Sequence, residues 1–569
     1  MRVLLLASAF NSLSQRVLCA LSDRGHSVEV EIADRGGVRP EAVSRHAPDL
    51  VIAPMLTTAV PAEVWSARTC LIVHPGPPGD RGPSSLDRAI QRGADRWGVT
   101  VLQAVAEMDA GPVWASAGCD LPAAGKSDLY RGEVADAAVA AVLTAVERYA
   151  SGTFVPREQR EGTFHPYLRQ EERRIDWHTD PTALVLRKLR AADSQPGVLD
   201  TFLGREWYLC GGHPESTLTG APGEPIATRH GAVCRATVDG AVWIPQLRPR
   251  RRPGERPTYK LPAVRALGGA PPGVPEVPAP TDAAAAGDTW ADITYQESGP
   301  VGHLRFSFPG GAMSTDHCRR LHAAYRHALS RPVGVVVLGG RRDFFSNGIH
   351  LGVIESADDP AAESWACIQA MDDLVEEVLR TTDRVVVAAL GGNAAAGGAM
   401  LALAADEVWC RSGTVLNPHY RRMGLHGSEY WTYTLPRRVG HDEAHRLTRE
   451  AAPVSAAAAL RSGLVDRVLD CAPEEFAAEV TRSAQHLASS PRLGALLREK
   501  KAARDRDEAA RPLAAYRAAE LERMRRTFFD PTAPYHALRS AFVRKQPAPG
   551  LPPSALPNGE PCRPVPRSS

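Results

Sequence analysis

The sequence predicts a multidomain α/β protein, and three observations carry that prediction. Short apolar runs alternate with helical stretches over residues 1–150 and again beyond residue 290, the pattern of parallel sheets flanked by helices. Between the two blocks lie short strand-like runs separated by glycine and proline, a small β-rich module. At 569 residues, and ~100–200 residues per domain, about three to five folding units are expected.

The chain opens on "MRVLLLASAF". Its apolar core, Val3–Leu6, is shorter than the ~7–15 residues of a secretory h-region, so a buried first strand is expected. Asn11–Arg24 reads as a helix, and "SVEVEIA" (27–33) and "DLVIAPM" (49–55) as strands. From Arg173, "RRIDWHTDPTALVLRKLRAA" predicts a helical stretch, followed by the short strands of the module. The Gly-, Pro- and Ala-rich segment 266–289 predicts an extended linker. Strands are expected at "GHLRFSF" (302–308), "PVGVVVLGG" (332–340) and "RVVVAAL" (384–390), with helices over 497–529 packing on that block. The Pro- and Ser-rich end, 546–569, predicts disorder. The divisions are thus 1–165, 166–265, a linker 266–289, 290–490, helices 491–545 and a tail.

Lysine plus arginine total 67 against 65 aspartate plus glutamate, which leaves no electrostatic footprint for nucleic acid or an anionic membrane. Small molecules or a protein partner are expected instead. Ten cysteines without one C-x-x-C pair argue against a metal site or a disulfide framework. A reducing compartment, the cytoplasm, fits. No segment is long and apolar enough to span a bilayer.

Ligands of open α/β sheets bind beyond the carboxyl ends of the strands. His74 follows the run "CLIV", inside "LIVHPGPPGDRGPSSLDRAI" (71–90), and "WGVTVLQAVAEMDAGPVWAS" (97–116) supplies a strand leading to Asp109-Ala110-Gly111. An imidazole and a carboxylate are therefore expected at neighbouring strand ends. Alone, each residue better suits a turn. The pieces "IVHP", "DRGP", "GVTV" and "DAG" together resemble the folate-dependent formyltransferases, and the similarity continues through residues 173–204. The resemblance implies a Rossmann-like domain followed by an OB-like module, with 10-formyltetrahydrofolate as formyl donor. It implies that His74 and Asp109 are catalytic, with Met55, Ile72, Pro75, Arg81 and Gly82 lining the folate site. Where those enzymes carry asparagine this chain has Ile72. One oxyanion donor is typically worth ~2.7–4 kcal/mol, so an acceptor needing less proton removal than an amine, such as a thiol, fits better.

"FFSNGIHL" (344–351) and "GGNAAAGGAMLALAAD" (391–406) place small residues where backbone N–H groups can meet a ligand. With "SGLVDRVL" (462–469) they resemble the crotonase (enoyl-CoA hydratase/isomerase) superfamily. That implies an α/β spiral domain, coenzyme A as ligand, an oxyanion hole from the amides of Ile349 and Gly397, and Gly348 and Gly398 beside it. The two glutamates of a hydratase fall on Met400 and about His419, so hydration is not expected. Within "LNPHYRRMGLHGSEYWTYTL" (416–435), Tyr420, Glu429 and Tyr430 are the candidate proton carriers.

The two halves in one chain resemble the HypX/HoxX family of hydrogenase maturation factors. The resemblance implies synthesis of the carbon monoxide ligand of [NiFe]-hydrogenase from 10-formyltetrahydrofolate by way of formyl-CoA, with a hydrogenase large-subunit precursor or other maturation proteins as partners. Two alternatives stay open: a formyltransferase or deformylase acting on an amine or nucleotide sugar beside a separate acyl-CoA activity, and an inert maturation scaffold.

Overall fold

The structure is a computed structural model and describes residues 1–33, 37–159, 162–280 and 288–547. In the sheet of the first domain strand β1 (Arg2–Ala7) lies between β2 (Ser27–Ile32) and β3 (Leu50–Met55). Helix α1 (Ser12–Asp23) connects β1 to β2 and starts at Asn11, whose side chain accepts the Ser14 N–H. Beyond β3 come β4 (Cys70–His74), β5 (Arg96–Gln103) and β6 (Val113–Asp120), giving the order β2-β1-β3-β4-β5-β6. The first four strands are parallel, whereas β4–β5 and β5–β6 are antiparallel. The sheet is therefore mixed rather than wholly parallel. Helix α2 (Glu133–Ser151) packs its alanine and valine face, with Ala138, Val142 and Ala145 buried, against this sheet.

The module holds two antiparallel four-stranded sheets, one built on Arg205–Cys210 and one on Ala232–Ala236, around Trp177, Trp207 and Leu189. The helix expected from Arg173 starts only at Thr182 and runs to Ala192 as α3. Asp176 instead begins a turn closed by the Asp180 N–H, and Pro181 fixes the helix start; proline is well tolerated at a helix N-terminus. The expected linker is no free tether over its described part. The Thr228 N–H donates to the Pro275 carbonyl and the Val277 N–H to that of Thr228, so this stretch joins the edge of the module. Residues 281–287 lie outside the described residues.

The second block is a six-stranded sheet of β7 (Ile293–Ser298), β8 (Val301–Phe306), β9 (Val335–Gly340), β10 (Val385–Leu390), β11 (Glu407–Arg411) and β12 (Arg467–Leu469), in that order. It is parallel from β8 onward. Helices α4 (Thr315–Leu329) and α5 (Pro360–Arg380) cover one face, and the short α6 (Gly397–Leu403) follows β10. After α7 (Trp431–Val439), three terminal helices close the block. They are α8 (Leu493–Ala510), α9 (Leu513–Phe529) and α10 (Pro534–Val543), the first two broken at Pro512. Most of the expected tail lies outside the described residues.

Ion pairs join the two α/β blocks. Asp136 of α2 holds Arg16 of α1 and Arg411 of β11, the latter at 2.9 Å, while Arg131 reaches Asp343 at 2.6 Å and Glu133 pairs with Arg342.

Candidate active sites

His74 ends β4, buried, between two carboxylates. Its Nε2 lies 2.9 Å from Asp80 Oδ1 and its Nδ1 3.6 Å from Asp109 Oδ2. The expectation of neighbouring strand ends is corrected in detail. His74 pairs with Thr100 and Leu71 with Gln103, so the chain leaves β5 at the far end of β4 and the following loop brings Asp109 back to the imidazole. That loop is pinned: Gln159 Nε2 donates to the carbonyls of Asp109 and Gly111, both at 2.9 Å. Asp109 itself sits at φ +56°, a left-handed conformation uncommon outside glycine and asparagine-like residues.

Two glycines make the contacts possible. A Cβ on Gly76 would lie 2.5 Å from both His74 Nε2 and Asp80 Oδ1. Gly82, at φ +108°, donates its N–H to Asp109 Oδ2 at 3.1 Å, and a side chain there would strike the His165 carbonyl. Arg81 pairs with Glu107 at 3.0 Å. Met55 and Pro75 are half-buried at the strand ends, and the Pro75 carbonyl accepts Trp97 Nε1–H. Ile72 is half-buried against the apolar face of the sheet and offers no side-chain donor. Asp80 is the residue sequence reasoning missed. It lies inside "DRGP", where the resemblance points only to Arg81 and Gly82, and the Gly76 turn brings it back to His74.

In the second block the amides of Ile349 and Gly397 donate no hydrogen bond within the described residues. They are neighbours: a Cβ on Gly348, at φ +76°, would lie 3.0 Å from the Gly397 nitrogen. The Ile349 segment is fixed by the Met313 N–H to the Gly348 carbonyl and the His350 N–H to the Met313 carbonyl, both 2.8 Å. Gly397 opens α6, where N–H groups lack intrahelical acceptors, and Gly398 is so close to the Ser346 carbonyl that no side chain fits. Two free N–H groups side by side are what a carbonyl oxygen carrying developing charge requires.

Glu429 completes this site. It is 1% exposed, and a Cβ on Gly397 would collide with its Oε1, so the carboxyl lies directly over that glycine. Its Oε2 accepts the Tyr420 hydroxyl at 2.6 Å and the Ser428 N–H at 3.0 Å. Burial first, then the nearby Asp372, push the Glu429 carboxyl up to about 8. Burial and Glu429 raise the Tyr420 phenol well above its usual range. The surroundings of Glu429 therefore favour its neutral carboxylic acid form.

Tyr430 is not brought to this point as expected. Its hydroxyl donates to Glu376 Oε2 at 2.7 Å, where Arg517 also binds at 2.9 Å, and its ring packs in the core. Met400 is wholly buried in that core, and His419 is turned to the Asn417 carbonyl at 2.9 Å. No carboxylate stands at either hydratase position. Among the described residues no cluster of three His, Cys, Asp or Glu could hold a metal ion, and no helix is long and apolar enough to cross a membrane.

The fold agrees with the comparisons. Residues 167–255 match the family described as formyl transferase, C-terminal domain, and residues 310–545 that described as enoyl-CoA hydratase/isomerase. A methionyl-tRNA formyltransferase of Roseiflexus castenholzii is 31% identical over 190 residues, 32% of this chain and 59% of that protein. These features define a class in which a formyltransferase-type half is joined to a crotonase-type half. The hydrogenase maturation factor HoxX of Bradyrhizobium diazoefficiens is 46% identical over 555 residues, 96% of this chain and 95% of that protein. The crystal structure of HypX from Aquifex aeolicus in complex with tetrahydrofolic acid superimposes with a TM-score of 0.93 at 44% identity, covering 97% of this chain and 98% of that one. The chain belongs to the HypX/HoxX family of hydrogenase maturation factors.

Proposed function

We propose that this chain makes carbon monoxide for the [NiFe]-hydrogenase active site in two steps. The formyl group passes from 10-formyltetrahydrofolate to the thiol of coenzyme A in the first domain (1–165), and the crotonase-type domain (290–490) decarbonylates the formyl-CoA. Folate and coenzyme A are both substrates. The folate complex of the Aquifex relative supports the first, and the two unpaired amides of Ile349 and Gly397 suit the thioester carbonyl of the second.

In the first step sulfur attacks the formyl carbon, the bond from that carbon to the folate nitrogen breaks, and that nitrogen takes a proton. His74, set between Asp80 and Asp109, is the group that can take the thiol's proton and deliver it to that nitrogen. In the second step the thioester has only a formyl hydrogen and a C–S bond to give up. Glu429 donates its proton to the departing sulfur and its carboxylate takes the formyl proton, leaving CO, the free thiol and the acid restored. No α-carbon exists to be deprotonated, which is consistent with Met400 and His419 at the hydratase positions.

The observation that carries this reading is a buried acid, Glu429, over Gly397 beside two free amides. The test gives purified protein 10-formyltetrahydrofolate and coenzyme A and traps gas with deoxyhaemoglobin. Equal amounts of tetrahydrofolate and CO are expected. Tetrahydrofolate with formate and no CO would defeat the second step. Delivery to a hydrogenase precursor in the cytoplasm belongs to the same proposal.

A further inference from the structure

The carboxyl of Glu429 is held from behind by a second acid that the reaction scheme does not use. Asp372 lies midway along α5, is 0% exposed and forms no ion pair with the described residues. Its Oδ1 accepts the Ser428 hydroxyl at 2.5 Å and the Glu429 N–H at 2.9 Å, while its Oδ2 is buried with no partner. A buried carboxylate with one oxygen unsatisfied is an expensive way to hold a turn; a neutral acceptor would bind the same two donors.

The turn it holds is strained. Glu429 and Tyr430 are consecutive non-glycine residues in the left-handed region, at φ +59° and +58°, and such residues persist where their surroundings over-determine them. From the other side Glu520 of α9 accepts the N–H groups of Tyr430 and Thr432, both at 2.9 Å. The Glu429 carboxyl is thus set between Asp372 on α5 and Glu520 on α9, with the Tyr420 phenol in contact and the Cys318 thiol of α4 close by. Arg517 binds Asp373 and, together with Arg380, Glu376, and acts on Asp372 from there.

We propose that Asp372 is the positioning residue of the decarbonylation site: it fixes the Ser428-Glu429 turn over Gly397 and, as the ionised member of a buried acid pair, keeps the proton on Glu429. The inference rests on the function proposed above. Two carboxyls in one dry pocket do not both ionise near neutrality. Burial raises both carboxyls and each has two donors opposing, but the Arg517 cation also favours the charge on Asp372, whereas Asp372 itself raises Glu429 further. The proton of the pair therefore favours Glu429, the residue that faces the thioester.

The experiment measures CO release from supplied formyl-CoA by the full chain as a function of pH, for the wild type and Asp372→Asn. The wild type loses activity as pH rises through about 8. With the anion gone, Asp372→Asn loses it about one pH unit lower or more, so that activity at pH 7.5 falls about threefold or more and returns on acidification. A residue that only braces the turn lowers the rate equally at every pH, and an unmoved limb overturns the proposal. Infrared titration of protein labelled in its glutamate carboxyls, with Glu429→Gln assigning the band, gives the same answer without turnover. If no CO forms at all, the function has failed while this titration still decides the proton. Should Asp372→Asn not fold, Ser428→Ala removes one donor from Asp372 and must also move Glu429 ionisation to lower pH; no movement overturns the proposal.

Discussion

At the residue scale the two sites make separable demands. His74→Ala removes the proton donor of the folate step and should lower tetrahydrofolate formation about 10²–10⁴-fold, while CO release from supplied formyl-CoA stays unchanged; loss of both would show that His74 serves the fold. Gly397→Ala reverses the pattern. Its new Cβ meets the Glu429 carboxyl, and displacing one oxyanion donor costs about 10²–10³-fold, so tetrahydrofolate formation persists and CO falls. Residue-level legibility follows the same division. His74 and Asp109 were legible because their neighbours form a recognisable pattern, and Glu429 because an acid stood among tyrosines near the acyl pocket. Asp80, Asp372 and Glu520 were not, because each acts through a contact across more than one element or turn that spacing does not reveal. Tyr430, adjacent to Glu429, meets Glu376 instead because a left-handed turn sends successive side chains to different partners.

At the element scale the start of α7 depends on Glu520. Its two oxygens satisfy the Tyr430 and Thr432 N–H groups, and it is wholly buried. Glu520→Ala leaves both donors unpaired at about 1–3 kcal/mol each, to be read as a lower midpoint in urea. Burial pushes the Glu520 carboxyl up to about 8, against ~4.3 in the unfolded chain. The folded form therefore binds the extra proton between those values, and stability falls as pH rises across that window. Replacing Glu520 by glutamine should flatten this slope in thermal melts from pH 5 to 8; an unchanged slope would contradict the assignment. The strands were legible as apolar runs of strand length. The antiparallel direction of β5, the break of the helix at Pro181 and the attachment of residues 275–277 to the module were not, because strand direction and edge pairing are tertiary choices.

At the scale of the whole molecule, the two halves are held together by charges rather than by a tether alone. Asp136 neutralises Arg16 and Arg411, whose side chains are buried. Asp136→Ala leaves two cations facing each other. Breaking a buried pair costs ~3–5 kcal/mol, and the 31% exposure of Asp136 places this case at the lower end. The readout is the share of formyl that escapes as formyl-CoA to the medium, expected to rise while each step measured separately is retained. The central claim is that a formyl thioester held by the Ile349 and Gly397 amides loses CO through Glu429. Its most direct measurement is a single turnover of carbon-13 formyl-CoA by the wild type and by Glu429→Gln. The account predicts labelled CO and free coenzyme A from the wild type and intact thioester from the variant; labelled formate from both, with no labelled CO, would contradict it.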